Sequence, residues 1–291
     1  MLTIDGMDNY NKDDVIIFLH LPKCGGTTLN RLIEWEYNPL EVFSVDPSFF
    51  RWSYWRLIRT PVERFKRIRV FKGHMPFGLH KRLSRPATYI TVLREPIDRA
   101  ISSYYYAQSY KLDPQHRIAA KLSLEEYIRT TPKENVQTKL VAGHTNGYDF
   151  LSGECTAAML ETAKQNLSES FSLIGLTERF DESLVLAKIL FGWQIRQYAN
   201  FNVTPTRPKK EAVPLAVREL VAERYRFDVQ LYEYAEQLFN QALSRYADRV
   251  PAELDTIRNA KAMSQGQALY YRVASGVRKA ISRANSALLT I

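Results

Sequence analysis

Four short runs along the chain are almost continuously apolar: "VIIFLHL" (15–21), "RVFKGH" (69–74), "TYITVLR" (88–94) and "FSLIGLTE" (171–178). Stretches with helical spacing separate them. Strands apolar on both faces and alternating with helices predict an α/β protein built on a parallel sheet flanked by helices. Leu29, Leu32 and Ile33, directly behind a pair of glycines, have the spacing of one helix, and Leu231, Tyr234, Ala235, Leu238 and Ala242 that of another. Between "GLTERF" and the second helix, "NVTPTRPKKEAVP" (202–214) is rich in proline and predicts a mobile loop.

The pattern changes near the end. From Ile257 onward there are six basic residues and no acidic one, with Leu269, Val273, Val277, Ile281, Ala284 and Leu288 at helical spacing and Arg272, Lys279 and Arg283 expected opposite them. The expected division is a flexible N-terminus (1–14), one P-loop-type α/β domain (15–250) and a basic amphipathic helical tail (251–291). Such a tail suits an anionic membrane, a partner subunit or the domain itself.

Composition narrows the picture. In 291 residues, 40 Lys+Arg stand against 31 Asp+Glu, a formal charge of +9, so a polyanionic partner is favoured. Two cysteines, Cys24 and Cys155, are too few for a disulfide framework. The polar start "MLTIDGMDNYNKDD" does not read as a signal peptide, and no run reaches the ~18 apolar residues of a span. The expected location is therefore cytoplasmic, with peripheral membrane contact through the tail left open.

The chemistry sits in "HLPKCGGTTL" (20–29). A strand, a glycine turn and a helix aim backbone N–H groups and a positive helix end at an anion. A kinase loop places its lysine after the glycines and its hydroxyl on magnesium. Here Lys23 precedes them and Thr27 stands in the lysine's place, which favours transfer of a less charged group with one cation and no metal.

"LHLPKCGGTTL" resembles the 5′-phosphosulfate loop of sulfotransferases that use 3′-phosphoadenosine 5′-phosphosulfate (PAPS), within them the carbohydrate enzymes typified by the heparan sulfate 6-O- and 2-O-sulfotransferases. "VLREPIDRAISSYYY" (92–106) resembles their 3′-phosphate motif, "KGHMPF" (72–77) their Gly-His segment and "NVQTKLVAG" (135–143) an internal motif. "AKQNLSESFSLIGLTERFDESL" (163–184) and "FDVQLYEYAEQLFNQAL" (227–243) look most like the 6-O branch, so the resemblance runs in order over roughly 15–245. It implies PAPS as donor, held by Lys23, Cys24, Gly25, Gly26, Thr27 and Thr28 at the 5′ end and by Arg94 and Ser102 at the 3′-phosphate. Thr206 and Arg207 would close over the nucleotide. His74 would be the general base and Lys23 the cation on the leaving oxygen.

Asn135 and Gln137 match a family motif and are candidates for substrate contact, though amides in such positions equally satisfy backbone groups. The segment 51–72 carries eight basic residues against one acidic, interleaved with aromatics. Arg56, Arg59 and Arg67 are thus candidates for an acidic glycan acceptor, balanced against an amphipathic helix with a solvated basic face. Two rival functions remain open: a P-loop kinase, which would need magnesium and prefer ATP, and a non-enzymatic polyanion binder, which would leave the loop and His74 unexplained. Nucleic acid is not the expected partner.

Overall fold

The computed structural model describes residues 10–45, 50–144, 151–196, 207–261 and 265–290. In chain order its strands and helices are β1 (Val15–Leu19), α1 (Gly26–Glu36), β2 (Val42–Ser44), α2 (Phe50–Arg59), β3 (Val70–Gly73), β4 (Ala87–Leu93), α3 (Pro96–Ser109), α4 (His116–Ala119), α5 (Leu124–Thr130), α6 (Val136–Ala142), α7 (Ala157–Ser170), β5 (Phe171–Leu176), α8 (Phe180–Phe191), α9 (Leu215–Arg224), α10 (Arg226–Arg245), α11 (Val250–Lys261) and α12 (Gln265–Leu289). The strands form one parallel sheet in the order β2-β3-β1-β4-β5. All four strands expected from apolar runs are present. Burial explains their composition: no residue from Val15 to Leu19 is more than 1% exposed.

β1 lies between β3 and β4, with Leu19 level with Gly73 and Phe18 level with Ile90. Chain connections therefore diverge to either side of β1, and the crevice at its carboxyl end is where an open parallel sheet takes its ligand. The residues that follow these strand ends are His20, His74 and Arg94. α3 starts as its sequence requires, with the Glu95 side chain accepting from the N–H groups of Ile97 and Asp98 and Pro96 in the first turn. The long helix expected from Leu231 onward is α10, which buries Leu231, Ala235, Leu238 and Ala242. Of the proline-rich stretch, Lys210–Ala212 forms a 3₁₀ turn.

The tail departs from expectation. α12 lies along β2 on a face of small and polar residues: Ser44 donates its N–H to the Ser286 hydroxyl at 2.8 Å, the Ser44 and Ser282 hydroxyls are 2.8 Å apart, and Trp35 donates to the Ser275 hydroxyl at 2.8 Å. The apolar stripe points outward, with Leu269 65%, Val273 59% and Val277 55% exposed. Lys279 and Arg283 lie on the side away from the stripe, as their spacing predicts. They flank the docked face and line the cleft at the strand ends.

The basic segment before β3 also has a structural use. Arg56 and Arg64 donate to the carbonyls of Ala287 and Leu289, at 3.4 and 3.1 Å, so cations meet the negative end of α12. Among the described residues, no helix is long and apolar enough to cross a membrane.

Candidate active site

The carboxyl ends of the strands open into a cleft of about 1260 Å³ lined by Lys23, Gly25–Thr28, His74, Arg94, Ser102 and Arg207, among others. Typical small-ligand sites hold about 300–1,000 Å³, so the cleft is large enough for a nucleotide. Nearly every donor-binding residue expected from the sequence meets here. Thr206 lies outside the described residues.

The glycine loop is shaped by its neighbours. Lys23 adopts a left-handed backbone, φ 68°, which a non-glycine residue accepts only when surroundings impose it. Gly25, φ 73°, caps α1 and turns its first N–H groups toward the cleft. A side chain at Gly26 would stand 2.1 Å from the His20 ring, so this glycine makes room for His20 and not for ligand. His20 in turn accepts from the Asn30 amide at Nδ1, 3.0 Å away, and packs against His74 with ring centroids 4.3 Å apart. Cys24 is a correction: its side chain is 1% exposed and donates to Gln137, 3.3 Å away, so the thiol faces the core rather than the donor.

Lys23 holds its ammonium 3.6 Å from the centre of the Tyr106 ring, a cation–π contact. Burial, with the neighbouring Arg94 charge adding to it, pulls its pKa down to about 8. Tyr106 belongs to α3. Its 83-residue separation from Lys23 offers no sequence signal of the contact.

The Nδ1 of His74 lies 2.7 Å from the His20 carbonyl. A carbonyl only accepts, so the proton is on Nδ1 and the lone pair of the neutral ring is on Nε2. Burial keeps the ring neutral, with the Lys23 charge acting the same way against the His20 carbonyl, so its pKa lies below the usual histidine value. His20 is lowered further, by burial and then by the charges on His74, Lys72 and Lys23.

At the other end, Arg94 donates to the Lys23 carbonyl at 3.1 Å and to the Asp98 carboxylate at 2.8 Å. Its buried Nε has no hydrogen-bond partner, the Glu178 carboxylate standing 4.0 Å away. Arg207 reaches the same Asp98 carboxylate at 3.2 Å. Burial raises the pKa of Asp98, but the two arginines outweigh it and the carboxyl titrates below its ordinary range. One carboxylate thus holds two guanidinium groups together beside Ser102, which is buried in the next turns of α3.

The candidates for substrate contact do not join this cleft. Asn135 is buried, accepting from the N–H groups of Phe227 and Asp228 at 3.1 Å and donating to the Arg224 carbonyl at 2.9 Å. Gln137 exchanges two 2.9 Å hydrogen bonds with the Arg94 backbone. Both amides are spent on backbone groups, and Gln137 ties the Arg94 strand end to Cys24 of the loop. Arg56 and Arg59 stack on Trp52 and Trp55 of their own helix, with ring distances of 4.5 Å each. Neither they nor the exposed Arg67 line the cleft.

Residues 11–270 match the family described as galactose-3-O-sulfotransferase. The chain belongs to this family. Human galactose-3-O-sulfotransferase 3 is 30% identical over 193 residues, covering 62% of this chain and 43% of the relative. The chain therefore spans less than half the length of the galactose-3-O relatives it matches. The heparan sulfate 2-O-sulfotransferase hst-2 of Caenorhabditis elegans is 22% identical over 277 residues, covering 84% of each chain. Human heparan-sulfate 6-O-sulfotransferase 1 is 26% identical over 278 residues, covering 79% of this chain and 66% of the relative. The carbohydrate sulfotransferase resemblance read from the motifs thus stands, with galactose-3-O enzymes joining the heparan sulfate ones among the relatives of this chain.

Proposed function

We propose that the protein transfers a sulfuryl group from PAPS to a hydroxyl of a carbohydrate acceptor. The observation that carries this reading is the meeting, in one cleft, of Lys23 and the α1 N-terminus, the Arg94–Ser102 pair, and a neutral His74 with its lone pair on Nε2. The donor set fits a nucleotide with two separated anionic ends. Backbone N–H groups, Thr27 and Thr28 serve one end, and the orphaned Arg94 Nε with Ser102 and Arg207 serves the other. Asp98 holds the two arginines in place until a phosphate competes for them.

Bound PAPS would supply the sulfuryl group and a leaving phosphate. His74 Nε2 accepts the proton of the acceptor hydroxyl as its oxygen becomes the nucleophile. The Lys23 ammonium offsets the negative charge that develops on the leaving oxygen. Gln137 and His20 hold these two groups at a fixed spacing through Cys24 and the His20 carbonyl.

A thermal shift series tests the donor half. Adenosine 3′,5′-bisphosphate at about a hundredfold its dissociation constant stabilises the fold by about 2.7 kcal/mol without added metal, and AMP at the same concentration does much less. Equal shifts from the two nucleotides would remove the 3′-phosphate role from Arg94 and Ser102.

The exposed stripe of α12 supports a second element of the reading, peripheral attachment to an anionic bilayer. Leu269, Tyr270, Val273 and Val277 are more than half exposed, Arg272 is exposed as well, and residues 265–289 contain no carboxylate. Vesicles containing phosphatidylserine should sediment the protein, and Val277→Asp should release it. Equal retention on neutral phosphatidylcholine vesicles, or none on either, contradicts the attachment.

A further inference from the structure

Lys23 is held in an unusual way for a buried cation. Among the described residues its Nζ makes no hydrogen bond and no ion pair, and the group in contact with it is the face of the Tyr106 ring, 3.6 Å away. The charges around it pull in opposite senses. Arg94 at the end of β4 and Arg207 work against the ammonium, and Asp113, just beyond α3, works for it without pairing with it. The Asp113 carboxylate instead accepts from the N–H of Gln115 at 2.7 Å. The remaining titratable neighbours carry no charge near neutral pH: burial lowers His20 and His74, raises Tyr106, and pushes the Cys24 thiol up to about 12.

The ring is placed by α3. Ser102 and Tyr106 lie one turn apart on this helix and both line the cleft, so the element that offers a hydroxyl to one anionic end also offers a ring to the cation at the other. Tyr110, which ends α3, packs on Tyr106 with ring centroids 5.3 Å apart and donates its N–H to the Tyr106 carbonyl at 2.9 Å. The Tyr106 hydroxyl makes no hydrogen bond among the described residues, so the ring face is the part in use. A ring suits this lysine better than an acid. A carboxylate in contact would neutralise the ammonium and repel an anionic donor, whereas a ring quadrupole stabilises the proton and leaves the whole charge for the ligand.

We propose that Tyr106 is a positioning residue for the transfer, its ring face keeping Lys23 charged and in the cleft until the donor takes the ammonium over. The inference rests on the sulfotransferase reading for what Lys23 does, and on the Lys23–Tyr106 contact alone for how Lys23 is held. Burial and the two arginines act to remove the proton from Lys23, and the ring acts to keep it. With the ring gone, the proton leaves at a lower pH. A ring that only covered Lys23 would act the other way, because its removal would admit water, relieve the desolvation and raise the pKa. The sign of the shift separates the two roles.

The test uses the full chain with Tyr106→Leu, Tyr106→Met and Tyr106→Phe. Leucine and methionine fill the space in different shapes, so one of them serves if the other does not fold. Acetic anhydride, which attacks only the unprotonated amine, is applied to the unliganded proteins over a pH series, and acetylation of the peptide carrying Lys23 is read by mass spectrometry. The wild-type midpoint is expected near 8. In the leucine and methionine variants it falls by about 0.5–1 pH unit, and in Tyr106→Phe, which keeps the ring, it stays. The alkaline limb of kcat/KM moves with it in the same variants. A midpoint that falls without the ring, with no sulfate transfer by any of the proteins, supports the hold on Lys23 and sinks the proposed activity. Sulfate transfer by the wild type, with a midpoint unchanged or raised in the leucine and methionine variants, overturns the role of the ring and leaves the activity standing. A fall in Tyr106→Phe as large as in Tyr106→Leu overturns it as well.

Discussion

His74→Ala is expected to lower kcat by about 10²–10⁴-fold, the usual contribution of a positioned general base, while adenosine 3′,5′-bisphosphate binds with unchanged affinity. The argument is geometric. The ring follows β3 at the crevice beside β1, its Nδ1 proton is committed to the His20 carbonyl at 2.7 Å, and Nε2 is the one ring atom that can take a proton. Burial holds the ring neutral to a lower pH than an ordinary histidine. The base is active above its pKa, so the acid limb of kcat/KM rises with pH through a value below the usual histidine range. His74→Asn, which keeps a side-chain donor near the His20 carbonyl, should be as inactive as alanine. Near-wild-type turnover in both variants, measured by initial rates at saturating donor, would remove His74 from the chemistry.

Lys23→Ala should cost about 10²–10³-fold in kcat, the scale of removing one preorganised charge donor from a site of developing negative charge. Lys23 acts only when charged. Burial, then Arg94, holds its pKa near 8, so in the unliganded protein the ammonium is present below that value and is lost as pH rises through it. The kcat/KM profile should therefore fall above about pH 8. An anionic donor stabilises the ammonium, so the corresponding limb in kcat lies higher. In Lys23→Arg the guanidinium stays charged over this whole range. That variant should lose the alkaline limb even if its plateau is lower. A profile for Lys23→Arg that still falls at the wild-type pH would assign the limb to another group.

Much of this site was legible because its parts are local. "VIIFLHLPKCGGTTL" places strand, turn and helix within fifteen residues, and "LREPIDRAIS" places Arg94, the cap at Glu95 and Ser102 on consecutive turns. Such segments fold according to their own spacing. The misplaced residues depend on contacts between distant parts of the chain. An amide that completes a backbone, as Asn135 does for Phe227 and Asp228, has the same composition as one that holds a sugar. Arg56 and Arg64 carry the charge expected of an acceptor site, but they serve the carbonyls of a helix more than 220 residues later.

The orientation of α12 shows the same limit. Hydrophobic periodicity alone would bury Leu269, Val273 and Val277. Ser282 and Ser286 instead allow close approach and supply hydroxyls to the open edge of the sheet at β2, which would otherwise leave backbone groups without partners, and Ser275 accepts from Trp35 of α1. That short strand was itself invisible to pattern reading, since three residues show no period. Its pairing with β3 is what places α12, and with it Lys279 and Arg283, against the cleft.

The central claim is sulfuryl transfer from PAPS through Lys23 and His74, and radiolabelled sulfate follows it directly. Wild-type protein incubated with PAPS carrying labelled sulfur, without magnesium, and with a panel of neutral and acidic oligosaccharides should place label in at least one carbohydrate. His74→Ala, still stabilised by adenosine 3′,5′-bisphosphate, should place essentially none. Label transferred equally well by His74→Ala, or no label in any carbohydrate from a wild-type protein that binds the nucleotide, would contradict the account.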